Sequence, residues 1–389
     1  MNLNNEWLDP LYLEDHLSED EKNIRDSAKK FSQNLLLPNV VKDNRNHFFN
    51  KEIFKEFGNM GLLGSTINGY GAANINKVSY GLIAAEIESV DSSYRSSISV
   101  QTSLVCDPIY FFGSNIQKKN YLPDLINGNL VGCFGLTESE AGSDPSSMKT
   151  TFVEKSDHFI INGSKNWITN APIADIFLIW ALNEKKDVKL FLIPKKTKGL
   201  KTSIINNKTS LKISPTGQIT LDNVKISKEN ILPNTKGWKS VFSCLNNARY
   251  GIAWGVIGAA RSCWLISKEY TENRIMFKKP LAANQLIQNK LAIMQSEISI
   301  GLSACLHAGR ALDRGKDIKI AISILKRNNC KKAIEIVREA RDMMGANGLL
   351  EEYHVMRHLV NLETVKTYEG AEDIHSLILG KFQTSMDAF

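Results

Sequence analysis

Three long stretches of helical period in the last third of this chain constrain its fold most. Over 241–270, 284–312 and 318–344, apolar residues keep a helical period for longer than a typical globular helix. Helices of that length bury their apolar faces mainly against one another, so an extended bundle is expected from about 237 to 389. A shorter helix over 351–362 and a last one beginning after Glu369 follow the Gly345-Ala346-Asn347-Gly348 break.

Upstream the period changes. From about 131 to 236, runs rich in Ile, Val, Phe and Thr alternate with Gly, Pro and Asn turns, which predicts β-structure. Asn162-Gly163 between two apolar runs reads as a hairpin, closed nearby by Trp167-Ile168-Thr169. Residues 1–130 are helical again. Ser18 with Glu21 fits a capping box, Ile24, Ala28, Phe31 and Leu35 follow on one face, and Pro38 is expected to end that helix. The fold class is therefore α+β, with three segments at 1–130, 131–236 and 237–389.

Composition narrows the function. Charged residues make up 23% and hydrophobic residues 43%, the balance of a soluble globular protein. No run reaches the length of a membrane span on this reading. The net charge of +7 is dispersed. Its one dense cluster, Lys326-Arg327-Asn328-Asn329-Cys330-Lys331-Lys332, has no interleaved aromatics, which argues against nucleic-acid binding. It reads as a solvated helix face or as an attractor of phosphate. The six cysteines are scattered, without metal-ligand spacing, so no metal site is expected. The first residues lack signal-peptide and transit-peptide patterns and the last carry no address, so the expectation is a bacterial cytoplasmic protein.

Several short motifs carry chemistry. In Tyr368-Glu369-Gly370 a carboxylate lies between an aromatic and a glycine, just before an apolar helical face. Partial desolvation there raises its basicity toward carbon acids, making Glu369 a candidate general base; a helix-capping turn is the plainer alternative. The loop 135–144 presents Thr137 and Ser143 after an apolar strand, able to hold phosphate or a flat heterocycle. Trp167 beside Thr169 either stacks on a ring cofactor or packs in the β core. Arg249 opens a long helix, where ion pairing inside the bundle is the default. Arg95, with Glu88 upstream, makes a surface ion pair or reads a substrate carboxylate.

Together and in this order, these stretches resemble the acyl-CoA dehydrogenase family, and within it the glutaryl-CoA dehydrogenases. The resemblance covers essentially the whole chain. It is carried by DSSYRS at 91–96, CFGLTE at 133–138, GSDPSSM at 142–148, WITN at 167–170, CLNNARYGIAWG at 244–255, NQLIQ at 284–288, LKRNNC at 325–330 and TYEG at 367–370. It implies a homotetramer whose subunits have a helical N-terminal domain, a β-barrel middle domain and a C-terminal four-helix bundle, with FAD between the last two. Thr137, Ser143, Trp167 and Thr169 would then contact FAD. Arg274, Phe277, Gln285, Gly345 and Gly348 would reach the FAD of a neighbouring subunit. Ser143, Arg249, Tyr250 and Gly370 would bind the acyl-CoA, and Arg95 its distal carboxylate, with Glu88 and Tyr368 nearby. Glu369 would remove the α-proton while hydride leaves for the flavin. Decarboxylation to crotonyl-CoA and an electron-transfer flavoprotein as acceptor are implied too. The alternatives are a short-chain dehydrogenase or oxidase, or a lyase using the same base. Departures from the family pattern lie at Met276, Lys278, Ala346, Ala371 and Lys381. Met276 and Ala371 each remove a hydrogen-bonding group from the cofactor side.

Overall fold

A computed structural model describes residues 6–388. The first helix, α1 (Glu19–Phe31), starts on the expected capping box: Glu21 N–H donates to Ser18 Oγ (3.3 Å) and Ser18 N–H donates to the Glu21 carboxylate (2.9 Å). Pro38 does not end it. A wider, π-type turn over Ser32–Leu36 carries the chain into α2 (Leu37–Asn46), with Pro38 in its first turn. The helical run is continuous through Leu36, and the wider turn accommodates the proline's missing N–H and its ring, so the helix goes on. The N-terminal layer continues with α3 (Ile53–Asn59), α4 (Lys77–Glu88), α5 (Ser92–Ser99), α6 (Asp107–Phe112) and α7 (Asn115–Ile126), a second π-type segment joining α5 to α6.

The seven main strands are β1 (Gly132–Gly135), β2 (Thr151–Glu154), β3 (His158–Thr169), β4 (Ile176–Leu182), β5 (Val188–Pro194), β6 (Leu200–Ile204) and β7 (Thr216–Ser227). They form one curled sheet in the order β1-β4-β2-β3-β7-β6, with β5 antiparallel to β4. Its inner face packs Phe152, Phe159, Phe177 and Phe191. The Asn162-Gly163 hairpin does not form. The chain runs straight through as β3, and the pair marks a bulge against β7. Gly163 takes φ +143°, and a Cβ there would lie 2.6 Å from Thr150 Oγ1, so the glycine answers a close strand approach rather than a reversal.

The C-terminal layer holds α8 (Trp238–Asn273), a two-residue hairpin of β8 (Ile275–Met276) and β9 (Lys279–Pro280), then α9 (Gln285–Asp313), α10 (Lys319–Met343), α11 (Val355–Thr367) and α12 (Glu372–Thr384). The helix expected from 351 starts at Val355, because His354 takes a left-handed φ of +63° after an isolated turn. One expectation about length is corrected. Among the described residues, α9 is long and apolar enough to cross a membrane by length and composition alone. Lys290 and Glu297 break its apolar run in the sequence, yet in the fold both pair onto α10, with Glu339, Asp342 and Lys332.

The element that organises the core is α4, buried from Val78 to Glu88. It lies against α8 along Gly251, Gly255 and Gly258, spaced so that one helix face has no side chains. A Cβ on Gly258 would lie 2.0 Å from the Ala85 carbonyl oxygen. Gly258→Ala should therefore push two backbones apart and cost roughly 1–3 kcal/mol of stability, the overpacking range. A melting temperature equal to that of the parent protein would contradict this packing.

Candidate active site

A cavity of about 320 Å³ opens where the three segments meet. Ser96, Val100 and Leu104 line it from the N-terminal helices, and Phe134, Leu136, Thr137 and Ser143 from β1 and its loop. Trp167 and Thr169 come from the end of β3, Leu245 and Arg249 from α8, and Tyr368, Glu369, Gly370, Ile374 and Ile378 from the α11–α12 turn and α12. Trp167 sits in a second bulge of β3, at φ +59°, and remains 58% exposed. It is thus no core tryptophan; the bulge turns the indole out of the sheet. A buried pair supports the neighbouring loop. Lys165 Nζ donates to Glu138 (2.8 Å) and to the Leu136 carbonyl (3.0 Å), and Glu138 also accepts from the backbone N–H groups of Lys149 and Thr150. Burial pushes the Lys165 ammonium down to about 8, against the pull of Glu138.

Glu369 takes φ +53° and Gly370 φ +98°. A left-handed non-glycine residue costs about 1–2 kcal/mol, so something must hold it. Arg249 Nε donates to the Glu369 carbonyl oxygen (2.6 Å). Lys326, 1% exposed, donates Nζ to the Tyr368 carbonyl (2.8 Å) and the Gly370 carbonyl (2.6 Å). Charge-assisted bonds of this kind contribute roughly 1.5–3 kcal/mol each, enough to offset the strain. The carboxylate is left free: among the described residues its buried Oε2 has no hydrogen-bond partner. Burial raises the Glu369 pKa above the usual carboxylate value, and Arg95, Lys326 and Arg249 pull it back only in part. This is the basicity expected of a carbon-acid base. The helix-capping alternative fails, since Ala371 occupies the N-cap of α12 and no side chain caps it.

Behind Tyr368 lies a second buried charge pair. Arg95 Nε donates to Glu88 Oε2 at 2.5 Å, both side chains being 2% exposed or less. An Arg95 Nη donates to the Tyr368 hydroxyl, while Arg95 Nη1 and Glu88 Oε1 have no partner among the described residues. Arg95 is therefore not a surface residue. Gly255 makes room for the pair, since a Cβ there would lie 2.0 Å from Glu88 Oε2. Asp91 caps α5 and accepts from Arg357 Nε (2.8 Å) and Asn361 Nδ2 (2.9 Å), locking the start of the Arg95 helix to α11.

The fold thus gathers Thr137, Ser143, Trp167, Thr169, Arg249, Tyr368, Glu369 and Gly370 around one cavity, with Glu88 and Arg95 one layer behind. It does not bring Tyr250 there. That ring is in the core and its hydroxyl donates to the Lys77 carbonyl (2.9 Å). Arg249 lies twelve residues into α8 rather than opening it. Arg274, Phe277 and Gln285 lie on the exposed β8–β9 hairpin and the start of α9, and Gly345 and Gly348 on the turn after α10; none lines the cavity. Sequence reasoning overlooked Lys326, which looked like part of a solvated basic face, and His375. The His375 ring is fully buried under Gly370. Burial, then the Lys326 and Arg249 charges, push it down to about 3, so it is neutral.

The chain matches the family models for the acyl-CoA dehydrogenase N-terminal domain at 18–129, middle domain at 133–224 and C-terminal domain at 235–383. It is 31% identical over 375 residues to the glutaryl-CoA dehydrogenase of Desulfococcus multivorans, covering 94% of this chain and 96% of that one. The chain belongs to the acyl-CoA dehydrogenase family. Among solved structures, this acyl-CoA dehydrogenase family member superposes on a Mycobacterium smegmatis glutaryl-CoA dehydrogenase in complex with FADH2, with a TM-score of 0.95, 42% identity and 96% of each chain covered. It also superposes on the butyryl-CoA dehydrogenase of Megasphaera elsdenii, with a TM-score of 0.91, 29% identity and coverage of 94% and 98%.

The family's enzymes use FAD, and the residues here fit it: an outward-turned indole, the side chains of Thr137, Ser143 and Thr169, and an unpartnered carboxylate share one cavity. Of the departures, Lys278 now has a structural meaning. It and Phe277, at φ +66° and +51°, form the tip of the β8–β9 hairpin, a place where glycine costs least. Ala371 leaves α12 uncapped, so Ala371→Thr should add a side-chain acceptor for the first-turn N–H groups. About 1 kcal/mol of stabilisation is expected, read as a raised melting temperature.

Proposed function

We propose that this protein is a decarboxylating glutaryl-CoA dehydrogenase. The observation that carries the reading is the buried Arg95, tied to Glu88 and Tyr368 with one guanidinium nitrogen unpartnered, directly behind the residue next to the base. A dicarboxylic acyl chain brings the acceptor that this nitrogen lacks. Glu369 takes the α-proton of the thioester, its basicity raised by burial. Thr137, Ser143, Trp167 and Thr169 would hold FAD, which when bound would supply an acceptor for the β-hydride. The Glu369 backbone N–H supports the negative charge that develops on the thioester oxygen. Loss of CO2 from the glutaconyl-CoA product leaves a dienolate, and protonated Glu369 returns its proton to give crotonyl-CoA. Arg249 and Gly370 would meet the acyl-CoA, and Ser143 would serve both it and the cofactor.

The proposal extends to a homotetramer that passes electrons to an electron-transfer flavoprotein in a reducing bacterial cytoplasm. Six free cysteines, all buried, support the compartment. Leu286, Ile293 and Ile300, 73%, 54% and 56% exposed at seven-residue spacing on α9, support an interface there. Phe277, 89% exposed, stands with Arg274 and Gln285 where a neighbouring subunit's cofactor would meet them. A second reading, a short-chain dehydrogenase for neutral acyl groups, has its own support, because Val100, Leu104, Phe134 and Leu136 line the cavity and Arg95 does not.

Glutaryl-CoA should bleach the purified yellow protein and yield crotonyl-CoA and CO2; preferential turnover of butyryl-CoA would move the assignment to the second reading. Arg95→Gln should lower the preference for glutaryl-CoA over butyryl-CoA by roughly 10–100-fold, the value of a charge-assisted contact. The Glu369→Gln variant should bind acyl-CoA without bleaching.

Stability offers an independent check on the buried carboxylate. The folded pKa of Glu369 is raised, so the folded state binds the proton more tightly than the unfolded one. Its contribution is favourable below the unfolded value and is lost as pH rises through the folded one. Glu369→Gln should therefore melt higher than the parent at neutral pH, with the gap closing as pH falls to about 4.5 and below, the unfolded range. An equal gap at both pH values would rule out a raised pKa.

A further inference from the structure

We propose that Lys326 is a positioning residue for the Glu369 carboxylate, bracketing the base through the backbone carbonyls on either side of it. The inference rests on Glu369 being the base and adds a residue to that machinery. Lys326 Nζ reaches across from α10 to both carbonyls, Tyr368 O at 2.8 Å and Gly370 O at 2.6 Å, while Arg249 Nε from α8 takes the carbonyl between them. Three consecutive carbonyls are thus held by two cations. Only the Ala371 carbonyl, at the N-cap, pairs with α12, accepting from the His375 N–H (3.2 Å), and the left-handed conformation at Glu369 is imposed from outside the turn. From below, His375 closes the space, its Nε2 2.9 Å from where a Cβ on Gly370 would stand. The carboxylate is consequently aimed at the cavity without using a hydrogen bond of its own.

A lysine is costly in this place. It is 1% exposed, and burial lowers its pKa, with Cys330 and Glu369 drawing it back up and Arg249 and Arg95 lowering it further. A neutral donor would hold one carbonyl at lower cost. An ammonium holds two and also supplies a positive charge beside the base, which keeps part of the carboxylate ionised against desolvation. Geometry and basicity are therefore set by one side chain. The charged and titratable groups facing Glu369 are Arg95 from α5, Arg249 from α8, Lys326 from α10 and Tyr368 beside it, with neutral His375 on α12 behind and Glu88 beyond Arg95.

The test uses the flavin-loaded enzyme with glutaryl-CoA and butyryl-CoA as probes. Lys326→Met should lower kcat roughly tenfold to a hundredfold, the cost of misplacing a reacting group, with KM within about threefold. The acid limb of its kcat/KM profile should move up by roughly one pH unit, because a charge favouring the ionised base is gone. Lys326→Gln restores a donor without the charge. It should recover the melting temperature and part of kcat and leave the limb displaced. A Lys326→Met profile superimposing on that of the parent would overturn the proposal. So would a fallen melting temperature, in either variant, with the limb unmoved, since that describes a merely structural lysine. The two readings separate cleanly: turnover by Glu369→Gln would sink the base assignment itself, whereas a dead Glu369→Gln with unaltered Lys326 variants sinks only the role of Lys326.

Discussion

The structure depends on keeping a buried carboxylate free of hydrogen bonds. Glu369 Oε2 is buried without a partner among the described residues, and a bare carboxylate oxygen there is unfavourable unless the surroundings compensate. The compensation is indirect. Arg249 and Lys326 bond to the backbone around the carboxylate, and Arg95 stands behind Tyr368. Positive charge is near enough to make ionisation possible, yet none of it caps that oxygen. A salt bridge directly to Glu369 would have lowered its basicity and removed it from chemistry.

That arrangement explains features far from the turn. Lys326 can reach the turn only because α10 packs beside α12, and Arg249 only because it lies on the buried face of α8 rather than at its end. The glycines of α8 serve the same purpose. Gly255 admits the Glu88–Arg95 pair and Gly258 lets α4 approach backbone to backbone, so the pair can stand behind Tyr368 instead of at the surface. On the other side of the cavity, the bulge that puts Trp167 at a positive φ turns the indole away from the sheet core, and the buried Lys165–Glu138 pair steadies the loop carrying Thr137.

Much of this was legible in the chain. The switch from helical to strand period and back announced three segments in order. The capping box at Ser18 formed as read, because it depends on residues three apart. Glu369 between an aromatic and a glycine marked a desolvated carboxylate. The failures share a cause. Asn162-Gly163 has the local composition of a turn but lies against Thr150, so a contact between strands chose a bulge instead. Pro38 looked like a stop until a wider turn absorbed it. Tyr250 adjoins Arg249 in sequence, yet on a helix adjacent residues point about 100° apart, and only one faces the cavity.

The sequence by itself determined the local terms: helical stretches to within a few residues, strand-forming runs, the residue types at the 368–370 turn and the family to which the whole pattern is similar. Periodicity and short-range hydrogen bonding decide those within a few residues. Only the tertiary structure decided which charges are buried and what they touch. Lys326 in a row of basic residues and Arg95 beside a run of serines look like solvated side chains in the chain. Both become interior cations because helices distant in sequence, α10 against the α11–α12 turn and α5 against α8, remove them from water. Burial and pairing are properties of that packing, and the raised basicity of Glu369 follows from them.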